Sequence, residues 1–301
     1  MTRWRMLERA EALYPLTACA FIVCDFWLKY HQRSAMASEI QAPQPHAPLT
    51  RLGLSAWRAE SVRITGFFAA PVFPSLDEAI TWYTALAGEA PEAATTQPKD
   101  NVHQLQGIVT LGATRSHLTL TVSVFRYDWN LMATPEGDPQ AGLGPFDETI
   151  IDFLERAERW IANSPPLDRL ALGAVATMPT TDRTAGYKQL AAYLPFSPDP
   201  TASDFLYQIN HPRSSQTVPN QFVNCLMKWS VGSKSHFKIS IGPEGTVPSG
   251  PSTRSVHCRA EFDINTTPDR AEPLEMRSLA GLLQEFAEIC RELLLQGDTT
   301  A

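Results

Sequence analysis

Val62–Gly88 reads VRITGFFAAPVFPSLDEAITWYTALAG, and Leu170–Phe196 reads LALGAVATMPTTDRTAGYKQLAAYLPF. Laid over one another without a gap, Ile64 meets Leu172, Phe67 meets Val175, Pro71 meets Pro179, Trp82 meets Leu190 and Leu86 meets Leu194. Each stretch describes a strand that ends at proline, a short turn and a helix of about three turns. Ser75, before Leu76-Asp77-Glu78, suits an N-cap whose oxygen accepts from the free amides of the first helical turn.

The match continues outward. His117–Trp129 alternates apolar residues at Leu118, Leu120, Val122 and Val124, the period of a half-buried strand, and Val256–Asn265 alternates at Val256, Cys258, Ala260, Phe262 and Ile264. A loop and a long amphipathic helix follow each. The first helix carries Phe146, Ile150, Phe153, Ala157, Trp160 and Ile161, and the second carries Leu279, Leu283, Phe286, Cys290, Leu293 and Leu294. Such a stripe buries one helix face on a sheet. Between these anchors the first segment has one candidate strand, Val102–Leu111, and the second has Phe205–Asn210, Phe222–Val231 and Phe237–Ile241. The TTQP stretch before Asp100 and IGPEGTVPSGPS (Ile241–Ser252) read as exposed loops rich in turn formers.

The expected fold is α+β: two tandem strand–helix–strands–helix halves, residues 61–164 and 168–297, with largely antiparallel sheets and helices packed on one face. Edge-to-edge joining into one continuous sheet and back-to-back packing both satisfy the pattern. Residues 36–60 form a polar, Pro-rich lead-in. In residues 1–35 the run Tyr14–Leu28 is apolar but interrupted by Asp25, shorter than a membrane span needs. This extension reads as upstream sequence with Met36 as the start, or as an amphipathic appendage.

The run Arg169–Gly173, then Tyr187-Lys188-Gln189-Leu190 leading to Tyr193-Leu194-Pro195, then Leu206–Asn210 and Phe262–Asn265 before a terminal helix, resembles a sporadically distributed family of uncharacterised bacterial proteins. Phe125-Arg126-Tyr127 and the helix from Phe146 are similar too, so the resemblance covers residues 60–297. It implies an accessory or defence-linked role and brings no catalytic residues.

Composition narrows the chemistry. The 301 residues carry a net charge of −7; residues 1–35 hold five Lys/Arg against three acids, leaving 20 basic against 29 acidic residues in the remainder. A duplex-binding protein normally shows a basic footprint, so nucleic acid is not the expected partner. Cys19, Cys24, Cys225, Cys258 and Cys290 are odd in number and lack CxxC spacing, a usage that fits a reducing cytoplasm rather than a disulfide framework. No GxxxxGK[ST], no strand-to-helix GxGxxG, no GxSxG and no HExxH occurs. His257 and Cys258 are strand neighbours and point to opposite faces, so they do not share a metal. No cofactor is expected, and Cys225 and Cys290 read as buried thiols.

Two groups of candidate residues remain. Asp128 and Asp263 close equivalent strands: they are either carboxylates that approach one another across a pseudo-twofold axis, or strand-end residues that accept amides from the following loop. His211 and Arg213 follow a strand, with Lys228 and Trp229 on the next. Together they form either a receptor for an anion or peptide carboxylate, through the paired donors of Arg, or a charged sheet edge that resists aggregation. The expected function is a non-catalytic protein-binding or adaptor module. The alternatives are an enzyme with its site between the halves, using His211, Arg213 and Asp263 or Asp128, and a small-ligand carrier.

Overall fold

The computed structural model describes residues 50–112, 114–134, 142–236, 239–242, 245–248, 253–268 and 272–298, with backbone only within 236–253. The expected extension 1–35 and most of the lead-in lie outside the described residues. After a 3-10 turn at Leu54–Ala56, the chain runs β1 (Arg58–Phe68), α1 (Leu76–Ala87), β2 (Ala93–Gln97), β3 (Val102–Leu111), β4 (Thr114–Val122), β5 (Arg126–Ala133), β6 (Gly144–Pro145) and α2 (Phe146–Ile161). It continues with β7 (Leu167–Thr180), α3 (Arg183–Leu190), β8 (Leu206–Asn210), β9 (Arg213–Ser214), β10 (Phe222–His236), β11 (Ile239–Gly242), β12 (Gly245–Pro248), β13 (Thr253–Thr266) and α4 (Met276–Gln296). The fold is α+β.

One antiparallel, 11-stranded sheet is ordered β2-β3-β4-β5-β1-β7-β13-β10-β8, with β6 beside β1 and β9 beside β10. The two expected segments meet at its centre, where β1 pairs with β7 and Ile64 lies opposite Leu172. Those are the residues that the gapless overlay superimposes. The joining is therefore edge to edge.

Alternation along each strand divides the sheet into two faces. Ile64, Trp129, Leu172, Ile264 and Cys225 are at most 1% exposed and share the face against which the helices pack. The helix stripes do what their spacing requires: Phe146, Ile150, Phe153, Trp160, Leu279, Leu283 and Phe286 are all nearly inaccessible. Aromatic rings fill the space between the layers. Trp160 meets Tyr127 at 4.4 Å and Trp129 at 5.6 Å between ring centroids, and Trp229 stacks on Tyr193 at 5.5 Å. Gly66 makes the first cluster possible, since a Cβ there would lie 2.3 Å from the Tyr127 ring. Ser75 caps α1 with a full capping box: its Oγ accepts from the Glu78 amide, and the Glu78 carboxylate accepts from the Ser75 amide.

Five local expectations change. His117–Trp129 is two strands, because the chain reverses at Ser123–Phe125, where the Ser123 amide donates to the Arg126 carbonyl. The TTQ residues are not loop but part of β2, an edge strand exposed throughout, so no apolar alternation announces it. Ile241–Ser252, expected as loop, holds the end of β11 and all of β12, which pair as a short hairpin. Helix α3 has 8 residues, fewer than the three turns expected. Asp128 and Asp263 sit inside β5 and β13 rather than at strand ends, so the loop-capping role does not apply to them.

Candidate functional site

The sheet face opposite the helices is uncovered by any described residue, and its side chains form rows fixed by the strand register. One row runs Thr119, Asn130, Arg63, Gly173, Asp263, Leu226 and Asn210 across seven strands. A second runs Thr121, Asp128, Thr65, Ala171, Asn265 and Asn224, and a third begins Arg126, Phe67, Arg169. The rows cross the β1–β7 seam without interruption.

The seam has small residues at its floor. Gly173 and Ala171 on β7 leave room for long side chains from both sides to lie over the strand. A groove of about 310 Å³ opens there, lined by Arg63, Asn130, Gly173, Lys228, Glu261 and Asp263 among others. A second groove of about 210 Å³ continues along the seam past Thr65, Phe67, Arg126, Asp128 and Arg169. Both share Arg63 and Asp263.

Neighbouring side chains on this face orient two of its arginines, Arg126 and Arg169. Arg126 Nε lies 2.9 Å from Asp128 Oδ2, and the other Asp128 oxygen accepts from Thr65 Oγ1 at 2.7 Å. Arg169 donates to Asn265 Oδ1 and to the Thr266 carbonyl, with its guanidinium 4.9 Å from the Phe67 ring centroid. Arg63 is held loosely, 3.7 Å from Asp263 Oδ2, while Asn265 donates to Asp263 Oδ1 at 3.0 Å. These pairs are partly solvated and add little stability; what they supply is orientation of a planar donor fork.

At one end of this face the loops before α1 and between β4 and β5 are tied together, Val72 N donating to Val124 O and Phe68 N to Phe125 O. They carry Phe73 and Phe125, 70% and 64% exposed. At the other end lies a charged cluster. Glu60 Oε1 accepts from Arg259 at 2.9 Å, and Lys234 Nζ forms an ion pair with Glu60 Oε2 at 2.8 Å. Burial opposes the charge on Glu60, but Lys234 and Arg259 outweigh it and hold the carboxyl below its ordinary value. His257, buried beside this cluster, is pushed down to about 4, first by burial and then by the neighbouring Lys234 charge.

The structure divides the sequence candidates. Asp128, Asp263 and Lys228 face the open side, and the two aspartates line the same groove. Trp229, expected beside Lys228 in one recognition group, is 0% exposed and stacked in the core, because neighbours on a strand point oppositely. His211 and Arg213 belong to the helix side. His211 Nε2 is 2.9 Å from Asp298 Oδ1 just past α4, and Arg213 donates to Glu292 on α4 at 2.8 Å. Glu285, two turns nearer the start of α4, accepts from Ser215 Oγ and from the Gln216 and Thr217 amides. This polar run fastens the loop after β8 to α4. His211 and Arg213 thus stand on the other side of the sheet from Asp128 and Asp263, and the four do not form one constellation.

Arg63, Arg126 and Arg169 were absent from the sequence candidates. Their signal is the two-residue spacing Arg63-Thr65 and Arg126-Asp128-Asn130, polar positions on one face of strands whose other face is apolar. The buried thiols Cys225 and Cys258 are pushed up to about 11 and about 12 by burial, far from nucleophilic range. Among the described residues no group of three or more His, Cys, Asp or Glu could hold a metal ion, and no helix is long and apolar enough to cross a membrane. No family model, curated protein or solved structure matches this chain.

Proposed function

We propose that this chain is a protein-binding module that docks a partner protein on the uncovered face of its sheet, centred on the β1–β7 seam. The observation that carries the reading is the group of arginines on a face no described residue covers: Arg126 and Arg169 held by Asp128 and Asn265, Arg63 between them across the seam, and Phe67 interleaved. Arginine and aromatic residues are enriched in protein interfaces, and a side chain already held in its bound orientation loses less entropy on docking. The grooves are shallow and open, which suits side chains from a protein better than a small molecule that must be enclosed.

The wide surface also supports an origin by duplication. The gapless overlay pairs Ile64 with Leu172, the pair through which a local twofold axis between β1 and β7 would pass. Under that axis Asp128, opposite Thr65, corresponds to Asp263, opposite Gly173.

Native mass spectrometry of the chain purified gently from the cells that make it tests the reading. A partner in fixed stoichiometry is expected, lost from the Phe125→Asp/Met132→Asp variant and kept by Met276→Asp/Leu295→Asp on the helix side. All four positions are at least 40% exposed, so folding should survive each change. A partner that stays with the first variant and leaves the second would overturn the proposal.

A further inference from the structure

We infer that the groove over Gly173 is a carboxylate-binding site, taking an aspartate or glutamate side chain of the docked protein between Arg63 and Lys228. This rests on the open face being the docking surface. Its own support is the uneven use of charge around the groove. Lys228 lies directly opposite Glu261 in the β10–β13 register, yet Glu261 is engaged by Arg259 Nε at 2.9 Å, and among the described residues no acid pairs with Lys228. Arg63 stands 3.7 Å from Asp263, beyond hydrogen-bond distance, and no described residue accepts a hydrogen bond from its guanidinium. Two cations with unused donors therefore border one groove.

The floor sets their height. A Cβ on Gly173 would come within 3.3 Å of Arg63 Nε and 3.4 Å of Nη2, so glycine is what lets the guanidinium lie along the sheet. In that position Nη2 lies 3.7 Å from Asp263 Oδ2 on β13, the strand next to the one that carries Lys228. An incoming carboxylate accepts from Arg63 in the paired manner its planar donors favour and takes a further donor from Lys228. Asp263 and Glu261 in the same wall limit the groove to one carboxylate group of the ligand, set between the two cations.

Fluorescence anisotropy with fluorescein-labelled hexaglutamate, against hexathymidylate of equal length, tests the site. Hexaglutamate should bind saturably and more weakly as salt rises. Affinity should fall about tenfold or more in Arg63→Gln and in Lys228→Met, as expected when a charge-assisted contact is lost. Lys234→Met should bind as the parent does, because that ammonium is already paired with Glu60. Gly173→Ala should weaken binding while both charges remain. Melting temperatures of the variants should match the parent. Failure of hexaglutamate to bind, binding retained in both charge variants, or tighter binding of hexathymidylate overturns the assignment. A cellular partner that survives Arg63→Gln/Lys228→Met but is lost from Phe125→Asp/Met132→Asp would overturn the carboxylate site and leave the docking face standing. Survival in both would overturn the two together.

Discussion

Lys228 and Trp229 are adjacent in the chain and lie on opposite sides of β10. Trp229 is fully buried, stacked on Tyr193 and edge-on to Trp57 and Phe262. Lys228 borders a groove and has no acidic partner among the described residues. The same division holds along every central strand: Tyr127 and Trp129 on β5 face the helices, while Arg126, Asp128 and Asn130 face away. The helix side holds the fold together through apolar burial, and the solvated positions of the open side are free to vary without endangering it. Charged residues there cost the fold little and leave it a surface for recognition.

The largest expected effect sets these two neighbours apart. Trp229→Ala should lower unfolding free energy by about 3–5 kcal/mol, the usual loss for a large core side chain, whereas Lys228→Ala should change it by less than about 0.5 kcal/mol. Urea titrations of both variants measure this, and comparable losses would erase the distinction between the faces.

His257 is a buried imidazole on the open face, and its burial makes stability depend on pH. Its folded value of about 4 lies below the ordinary 6.5, so between those values the unfolded chain binds the proton and the folded chain does not. Stability is therefore full above pH 6.5 and falls as pH drops toward 4, by up to about 3 kcal/mol. His257→Gln should flatten that slope. Glu60 acts lower: its depressed carboxyl stabilises above its ordinary 4.5 and loses that contribution as pH falls through its folded value. A slope between pH 6.5 and 4.5 that is the same in His257→Gln would contradict the assignment.

The two groove aspartates make a finer contrast. The Asp128 side chain is 11% exposed and takes a buried hydrogen bond from Thr65; Asp263 is 41% exposed and faces Gly173 at the matched position. Asp128→Ala should cost about 1–3 kcal/mol by orphaning Thr65 and releasing Arg126, and Asp263→Ala about 0.5 kcal/mol or less. Smallest of all, Gly173→Ala should leave stability unchanged or raise it by about 0.5 kcal/mol, since alanine suits a strand interior better than glycine. A large loss at Gly173 would mean that its role is in the fold rather than in the groove.

Much of the fold was legible because burial imposes periodicity. The stripes of α2 and α4 and the alternation in β13 are apolar patterns with one geometric reading, and the Ser75–Glu78 capping box is local chemistry. Edge strand β2 was not legible, since Ala93–Gln97 bury nothing and carry no pattern. The turn at Ser123–Phe125 was hidden because Val124 and Phe125 are apolar yet lie in a loop. The candidate face was half legible. Alternation separates His257 from Cys258, and the same rule applied to Lys228 and Trp229 divides that pair. The groove needed more, because Arg63, Asp263 and Lys228 belong to three strands whose order across the seam depends on β1 pairing with β7.

Hydroxyl-radical footprinting of the chain alone and in its cell-derived complex tests most directly which face docks the partner. Met132, 55% exposed on the open side, and Phe125, 64% exposed in the turn at the end of that sheet, should be shielded in the complex while Ile151, Met276 and Leu295 on the helices keep their reactivity. Shielding of the helix residues with Phe125 and Met132 unchanged would contradict it.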